Sequence, residues 1–392
     1  TIREYALLRL HGSADWGPAH RGHAAYFLAF AGPTAAERQG RGQLRWLDRL
    51  EAEHGNLWAA MSWLVDNDQI ESAIRLFWVT WRFWWLRGHM AELARFEENF
   101  VAGSGHLPPY QHALALTGTG FVHLANGNQA QARQLFEQSL PLYRRAREQA
   151  SITMKATVLG FLGRISALGH DYDAAVESLH ASQALLDEAG DSELAADDRI
   201  QHLLTTTLVH NFLGQIRLSQ GDHDSAERYF TEGLTAGQET ADRISLLVSF
   251  YDLALGSQAG GEPSRAAGFL RQGLKVAAEA GDETSVAYYL ENLAVVARQQ
   301  GDPERAVRLL GAATAMLEVR GSGWLHAYVP RAAHDEALAD LRSRLDDAAF
   351  RAAWTWGDAA AGARVVEYAQ QEQSRRPLSR PPPARPSAPL TG

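Results

Sequence analysis

The chain has 392 residues, 46% of them hydrophobic and 21% charged, with a net charge of −9 and no cysteine. Its length exceeds one compact core and calls for several domains or one elongated repeat array, while the acidic balance excludes a nucleic-acid surface covering the whole chain, because phosphate binding needs clustered cations. Lack of cysteine excludes disulfides, thiolate metal sites and thiol catalysis and suits a reducing cytoplasm; the most apolar run, at 73–86, is too short for a membrane span and carries Arg75 and Arg82.

Residues 1–40 read as N-terminal helices, with Ile2, Tyr5, Ala6 and Leu10 at helical spacing and a break from Gly12 to Pro18. The chain opens in mid-pattern at Thr1 without a signal-like segment, as a piece of a longer protein would. Residues 41–105 form atypical, Trp-rich helical repeats. Leu44, Trp46, Leu47 and Leu50 make one apolar stripe and Leu57, Met61, Trp63 and Leu64 a second, the two meeting near Gly55. A helix over 69–87 follows, stopped by Gly88. Its rings, Phe77, Trp78, Trp81, Phe83, Trp84 and Trp85, are spread around the axis at about one hundred degrees per residue, so they pack on both neighbours and leave the remainder for a pocket wall. An amphipathic piece with Leu93, Phe96 and Phe100 ends the region.

Residues 106–322 are regular. A small residue falls at Gly120, Gly163, Gly214, Ala254 and Ala294; twelve positions later comes Ala132, Ala175, Ala226, Ala266 and Ala306; four further on sits Phe136, Leu179, Phe230, Leu270 and Leu310. Between the two helices of each pair a cap candidate stands in register at Asn128, Asp171, Asp222, Glu262 and Asp302, and Pro263 and Pro303 follow the last two, where a missing N–H costs nothing. Small residues let two helix backbones approach, and the large one fills space toward the next pair. One hairpin cannot bury that face alone, so the pairs must stack. The repeats step by 43, 51, 40 and 40 residues, longer than the roughly 34 of the tetratricopeptide consensus. The expected fold is all-α: a right-handed superhelical stack of tetratricopeptide-like hairpins, closed by capping helices over 323–370. Residues 371–392 are Pro-rich without apolar period and read as a disordered linker.

Several segments resemble a family. "TIREYALLRL", "HAAYFLAFA", "WLDRLEAEHGNLWAAMSWLVDN", "RFWWLRGH" and "FRAAWTWGDA" are similar to landmarks of the large ATP-binding, STAND-type regulators of actinobacteria, many of the LuxR family and similar in layout to the maltose-regulon activator. The most specific part is 43–65, and "TIREYALLRL" resembles the end of the winged-helix region in that family. The resemblance implies a tetratricopeptide sensor segment. ATP and DNA binding do not carry over, since the chain has no G-x-x-x-x-G-K-[ST] loop and no recognition helix.

Spacing assembles no catalytic, cofactor or metal set. Among the fifteen histidines His20 and His23 lie three apart and His202 and His210 eight apart, but there is no H-E-x-x-H and no carboxylate cluster sits beside them at ligand spacing, so surface or turn positions are expected. Gly103-Ser104-Gly105 and Gly321-Ser322-Gly323 lack the strand-to-helix context of a nucleophile elbow and read as loops. Arg144, Arg145 and Arg147 suit the negative end of a helix dipole. The site expectation falls on the concave side, where register places Thr117, Phe121, Arg164, Asn211, Gln215, Tyr251, Tyr288, Glu291 and Arg298. Aromatic area together with directional donors suits an effector peptide, small polar molecule or partner protein. The expected role is non-catalytic sensing by a regulator segment that touches neither nucleic acid nor membrane; the alternative is a constitutive interaction scaffold or self-association domain without a small ligand.

Overall fold

The computed structural model describes residues 13–32, 37, 40–146, 150–190, 194, 196–320, 331–360 and 362–371, and no strand occurs among them. The helix expected before Gly12, Arg147, the loop expected at Gly321-Ser322-Gly323 and the linker after residue 371 lie outside the described residues. The N-terminal part consists of α1 (Trp16–Ala31), α2 (Gly40–Ala52), α3 (His54–Asp66), α4 (Ile70–Leu86), a 3-10 segment (Met90–Phe96) and α5 (Glu97–Ser104). The α2–α3 junction falls beside Gly55 as the stripes predict, and Gly88, at φ 75°, turns the chain after α4. In α4 Phe77, Phe83 and Trp84 are buried, whereas Trp78, Trp81 and Trp85 share one half-buried stripe. The buried indole of Trp84 donates to Thr80 Oγ1 at 2.6 Å, so its polar atom enters the core with a partner.

Five hairpins follow: α6 (Pro109–Ala125) with α7 (Gln129–Arg145), α8 (Ala150–Leu168) with α9 (Tyr172–Ala189), α10 (Ala196–Ser219) with α11 (His223–Thr240), α12 (Arg243–Ala259) with α13 (Pro263–Ala280), and α14 (Glu283–Gln299) with α15 (Pro303–Arg320). The small residues sit at the crossings. A Cβ added at Gly163 would stand 2.8 Å from Leu179 Cγ, and one at Gly214 would stand 2.6 Å from Phe230 Cδ1. Each hairpin turns on a left-handed residue seven positions after the small one: Gly127, Gly221, Gly261 and Gly301, but His170 in the second pair, at φ 61°. The long second step, from Gly163 to Gly214, becomes a long first helix, α10.

Three of the five cap candidates accept from the backbone N–H three residues on: Asp171 from Ala174, Asp222 from Ser225 and Asp302 from Arg305. Asn128 and Glu262 do not cap, which corrects the expectation for them. The longer Glu262 side chain meets Arg265 Nη1 at 3.1 Å instead. Asp242, Asp282 and Asp346 cap α12, α14 and the second C-terminal helix in the same way.

Successive first helices α8, α10, α12 and α14 touch one another, whereas each second helix packs chiefly between its own first helix and the next. The layer whose members lie closer together is the inner side of a curved stack. The curvature carries the array back onto its own beginning. Gln43 Nε2 and Arg82 Nε lie 3.1 and 3.3 Å from Asp242 Oδ1, Gln43 Oε1 accepts from the Arg243 N–H, and the Asp242 carboxylate is buried. At the other end α16 (Arg331–Arg344), α17 (Asp347–Ala359) and α18 (Gly362–Gln370) cover the last hairpin. Arg298 meets Asp340 at 3.1 Å, and Arg305 Nη2 donates to the carbonyls of Tyr368, Ala369 and Gln371, which a helix C-terminus leaves without intrahelical partners. No helix among the described residues is long and apolar enough to cross a membrane.

Candidate functional site

The first helices bring side chains from successive repeats into register on the inner layer, and the expected site residues divide by depth. Thr117, Arg164, Asn211, Tyr251, Tyr288 and Glu291 are buried; Phe121, Gln215 and Arg298 are half-buried. They are joined mostly to neighbours in the fold. Thr117 shares a 2.9 Å hydrogen bond with Tyr143 Oη, Asn211 Nδ2 donates to Ser249 Oγ at 3.2 Å, and the Tyr251 ring meets Tyr289 edge-on at 6.2 Å. Burial, then the Glu291 carboxylate, pushes the Tyr288 phenol above its ordinary value.

Two features run along this layer. One is a line of rings meeting edge to face: Trp78 and Phe121 at 5.9 Å, Phe121 and Phe161 at 4.8 Å, Phe161 and Phe212 at 6.0 Å. Trp78, Phe121 and Phe161 keep part of their surface open. The second starts where the first ends. The Arg164 guanidinium lies 5.4 Å from the Phe212 ring and donates to Gln215 Oε1, and Gln215 Nε2 donates to Asp252 Oδ1 at 2.7 Å. This polar ladder takes one residue from each of α8, α10 and α12. Asp252 is buried and its Oδ2 has no hydrogen bond. Burial pushes its carboxyl up to about 7, against the lowering influence of Gln215 and Arg164. A buried charge chain costs desolvation that a hydrophobic filling would avoid.

Sequence register found Arg164 and Gln215 but not Asp252, which follows Tyr251 and points between helices. Nor did it find Phe161 and Phe212, each two positions before its small residue; periodicity marks them only as core. A separate open cleft of about 400 Å³ lies between α9 and α10, lined by Gln183, Asp187, His202, Thr206 and His210 among others. The absence of metal-ligand spacing in the sequence also needs qualification, because the fold brings His54, His89 and Glu92 from different elements to one corner.

Hairpins in one register, joined through inner-layer contacts, define an all-α helical-repeat protein of tetratricopeptide-like architecture. A tetratricopeptide repeat model matches residues 286–318, within α14 and α15. No curated protein matches the chain. Among solved structures, BtubC from P. vanneervenii is similar at 16% identity and TM-score 0.43, over 60% of this chain and 91% of that one. The Cut9–Hcn1 hetero-tetramer of the APC/C is similar at 16% identity and TM-score 0.49, over 77% and 49%. A STAND protein with a tetratricopeptide repeat sensor from Pyrococcus horikoshii is similar at 14% identity and TM-score 0.28, over 80% and 54%.

Proposed function

We propose that this chain is the non-catalytic sensing module of a transcriptional regulator, and that its inner face seats an extended segment of a partner protein. The observation that carries the reading is the continuous line from Trp78 through Phe121 and Phe161 to Arg164 and Gln215. Half-open rings supply area, and the ladder at their end supplies directional donors beside an acceptor. A partner segment suits that line better than a metabolite, because six of the nine expected contact residues are already enclosed and the line is long. Binding would bias a larger protein by differential affinity for its two states. The regulator context rests on the segments that resemble STAND-type regulators.

The internal bonding of the ladder favours a second reading, a constitutive scaffold whose inner face only holds the array together. One experiment separates the two. Displayed peptides are selected on the full chain and their affinity is measured by fluorescence anisotropy for wild type, Phe121→Ala, Gln215→Ala and the outer-face control Glu232→Ala. Loss of at least about tenfold, equal to 1.4 kcal/mol, in the first two variants alone supports the inner face. Peptides indifferent to both, or sensitive only to Glu232→Ala, would leave the scaffold reading.

A further inference from the structure

The corner between α2 and α3 meets the turn after α4 at a cluster that no sequence spacing announces, since 35 residues separate its two histidines. His54 opens α3, and His89 follows the left-handed Gly88. Their imidazoles stack at 4.1 Å with 17° between planes. The Glu92 carboxylate spans both rings, with Oε1 2.8 Å from His89 Nδ1 and Oε2 3.5 Å from His54 Nε2. His54 Nε2 is buried and makes no hydrogen bond. On its far side His89 Nε2 lies 3.4 Å from Glu51 Oε2. Phe83 and Trp84 flank both imidazoles at centroid distances between 5.5 and 6.2 Å, giving the pair an apolar backing.

We propose that His54 Nε2, His89 Nδ1 and the Glu92 carboxylate form a binding site for a divalent ion of the zinc class, with Glu51 orienting His89. One donor atom from each of the three residues already lies within 4.8 Å of the others. Bonds of roughly 2.0–2.2 Å to nitrogen and oxygen put donors about 3–3.5 Å apart with each lone pair aimed at the ion, so closure needs the two imidazoles to rotate out of their near-parallel stack as well as a shift of about an ångström. Glu92, with a side chain 44% exposed, is free to follow the two rings. Two imidazoles and one carboxylate favour zinc, cobalt or nickel over calcium and magnesium, which prefer oxygen throughout. Glu51 stands where a metal-binding imidazole commonly gives its other N–H to a carboxylate; the ion displaces the proton that His89 Nδ1 now donates to Glu92, and Nε2–H then faces Glu51. Three protein ligands leave a coordination position for water on the open side. An ion here ties the α2–α3 corner to the turn after α4. Arg87, two residues before His89, bonds Asp48 at 2.6 Å and lies against Gly281 of the closing hairpins, so the ion braces the end at which the array meets itself.

The test is calorimetric titration of the chelator-treated full chain with Zn²⁺, alongside His54→Ala, Glu92→Gln, Glu51→Gln and the distant His112→Ala, each checked for helix content by circular dichroism. The expected result is one strong site in wild type and His112→Ala, its loss in His54→Ala and Glu92→Gln, and a drop of roughly 10–100-fold in Glu51→Gln. Zinc should also slow amide exchange in 51–58 and 86–96. Equal affinity in wild type and a folded Glu92→Gln, no strong site at all, or exchange protection elsewhere would each overturn the proposal. Glu92 is half exposed, so its amide variant keeps the test valid should His54→Ala fail to fold.

Discussion

Gly214→Ala tests the contact on which every hairpin depends. Alanine in place of glycine inside a helix stabilises by about 1 kcal/mol through propensity alone. Against this, the new methyl would stand 2.6 Å from Phe230 Cδ1 and 3.1 Å from Cζ. The Phe230 ring is fully buried and also touches the Cβ position of Gly256 at 3.4 Å, so it has no free side to move into. Overpacking of this kind costs about 1–3 kcal/mol, and three ring carbons in conflict put it near the upper limit. The net expectation is a loss of about 1–2 kcal/mol. The chain itself shows the compensation: Ala254 and Ala294 stand opposite Leu270 and Leu310, and phenylalanine appears only opposite glycine. Phe230→Leu alone should cost about 1 kcal/mol for the space it leaves, and the double variant should return close to wild type. Urea unfolding followed by circular dichroism, read as a double-mutant cycle, measures the coupling. A Gly214→Ala protein as stable as wild type, or two losses that simply add, would refute the packing argument.

Other outcomes follow from single positions. His170→Gly should stabilise by up to about 1 kcal/mol, since a left-handed L-residue costs about 1–2 kcal/mol and glycine gives back part of that as unfolded-chain entropy; an unchanged or lower urea midpoint would count against it. The Asp252 carboxyl, held up near 7, binds its proton more tightly in the folded than in the unfolded chain, whose ordinary value is 3.8. Its penalty is absent below about pH 4 and grows as pH rises through 7, so stability falls over that window. Asp252→Asn should flatten the fall in the urea midpoint, leaving the share of Glu97 and Asp282, raised to about 7 and about 6 mainly by burial. Arg305→Met keeps the apolar stem but removes donors from three carbonyls at the end of α18. Amide exchange over 362–370 should accelerate at least about tenfold while α6 to α9 are unchanged, each 1.4 kcal/mol of lost protection being a factor of ten.

Much of the architecture was legible because its signals are local. Small, Ala and Phe or Leu positions at fixed offsets specify hairpins, Gly88 ends α4, and helical rotation spreads the six rings of α4 around its axis, whereas the neighbours they meet decide that Trp78, Trp81 and Trp85 stay half-buried. The caps are less legible. Asp171, Asp222 and Asp302 cap, but Asn128 and Glu262 do not, and Asp242, which caps α12 while receiving Gln43 and Arg82, carries no sequence mark of that second role.

The candidate site divides the same way. Register finds residues of the inner layer, including Arg164 and Gln215, because position on a helix is periodic. Whether such a residue is open or enclosed depends on how tightly consecutive pairs curve, and that angle is a sum of side-chain volumes at every crossing. Asp252 joining the ladder, Phe161 and Phe212 extending the line of rings, and His54 meeting His89 are therefore decisions of tertiary structure. Order along a helix is written within about four residues, whereas meetings across 35, 160 or 199 positions arise only when the whole stack has packed and bent.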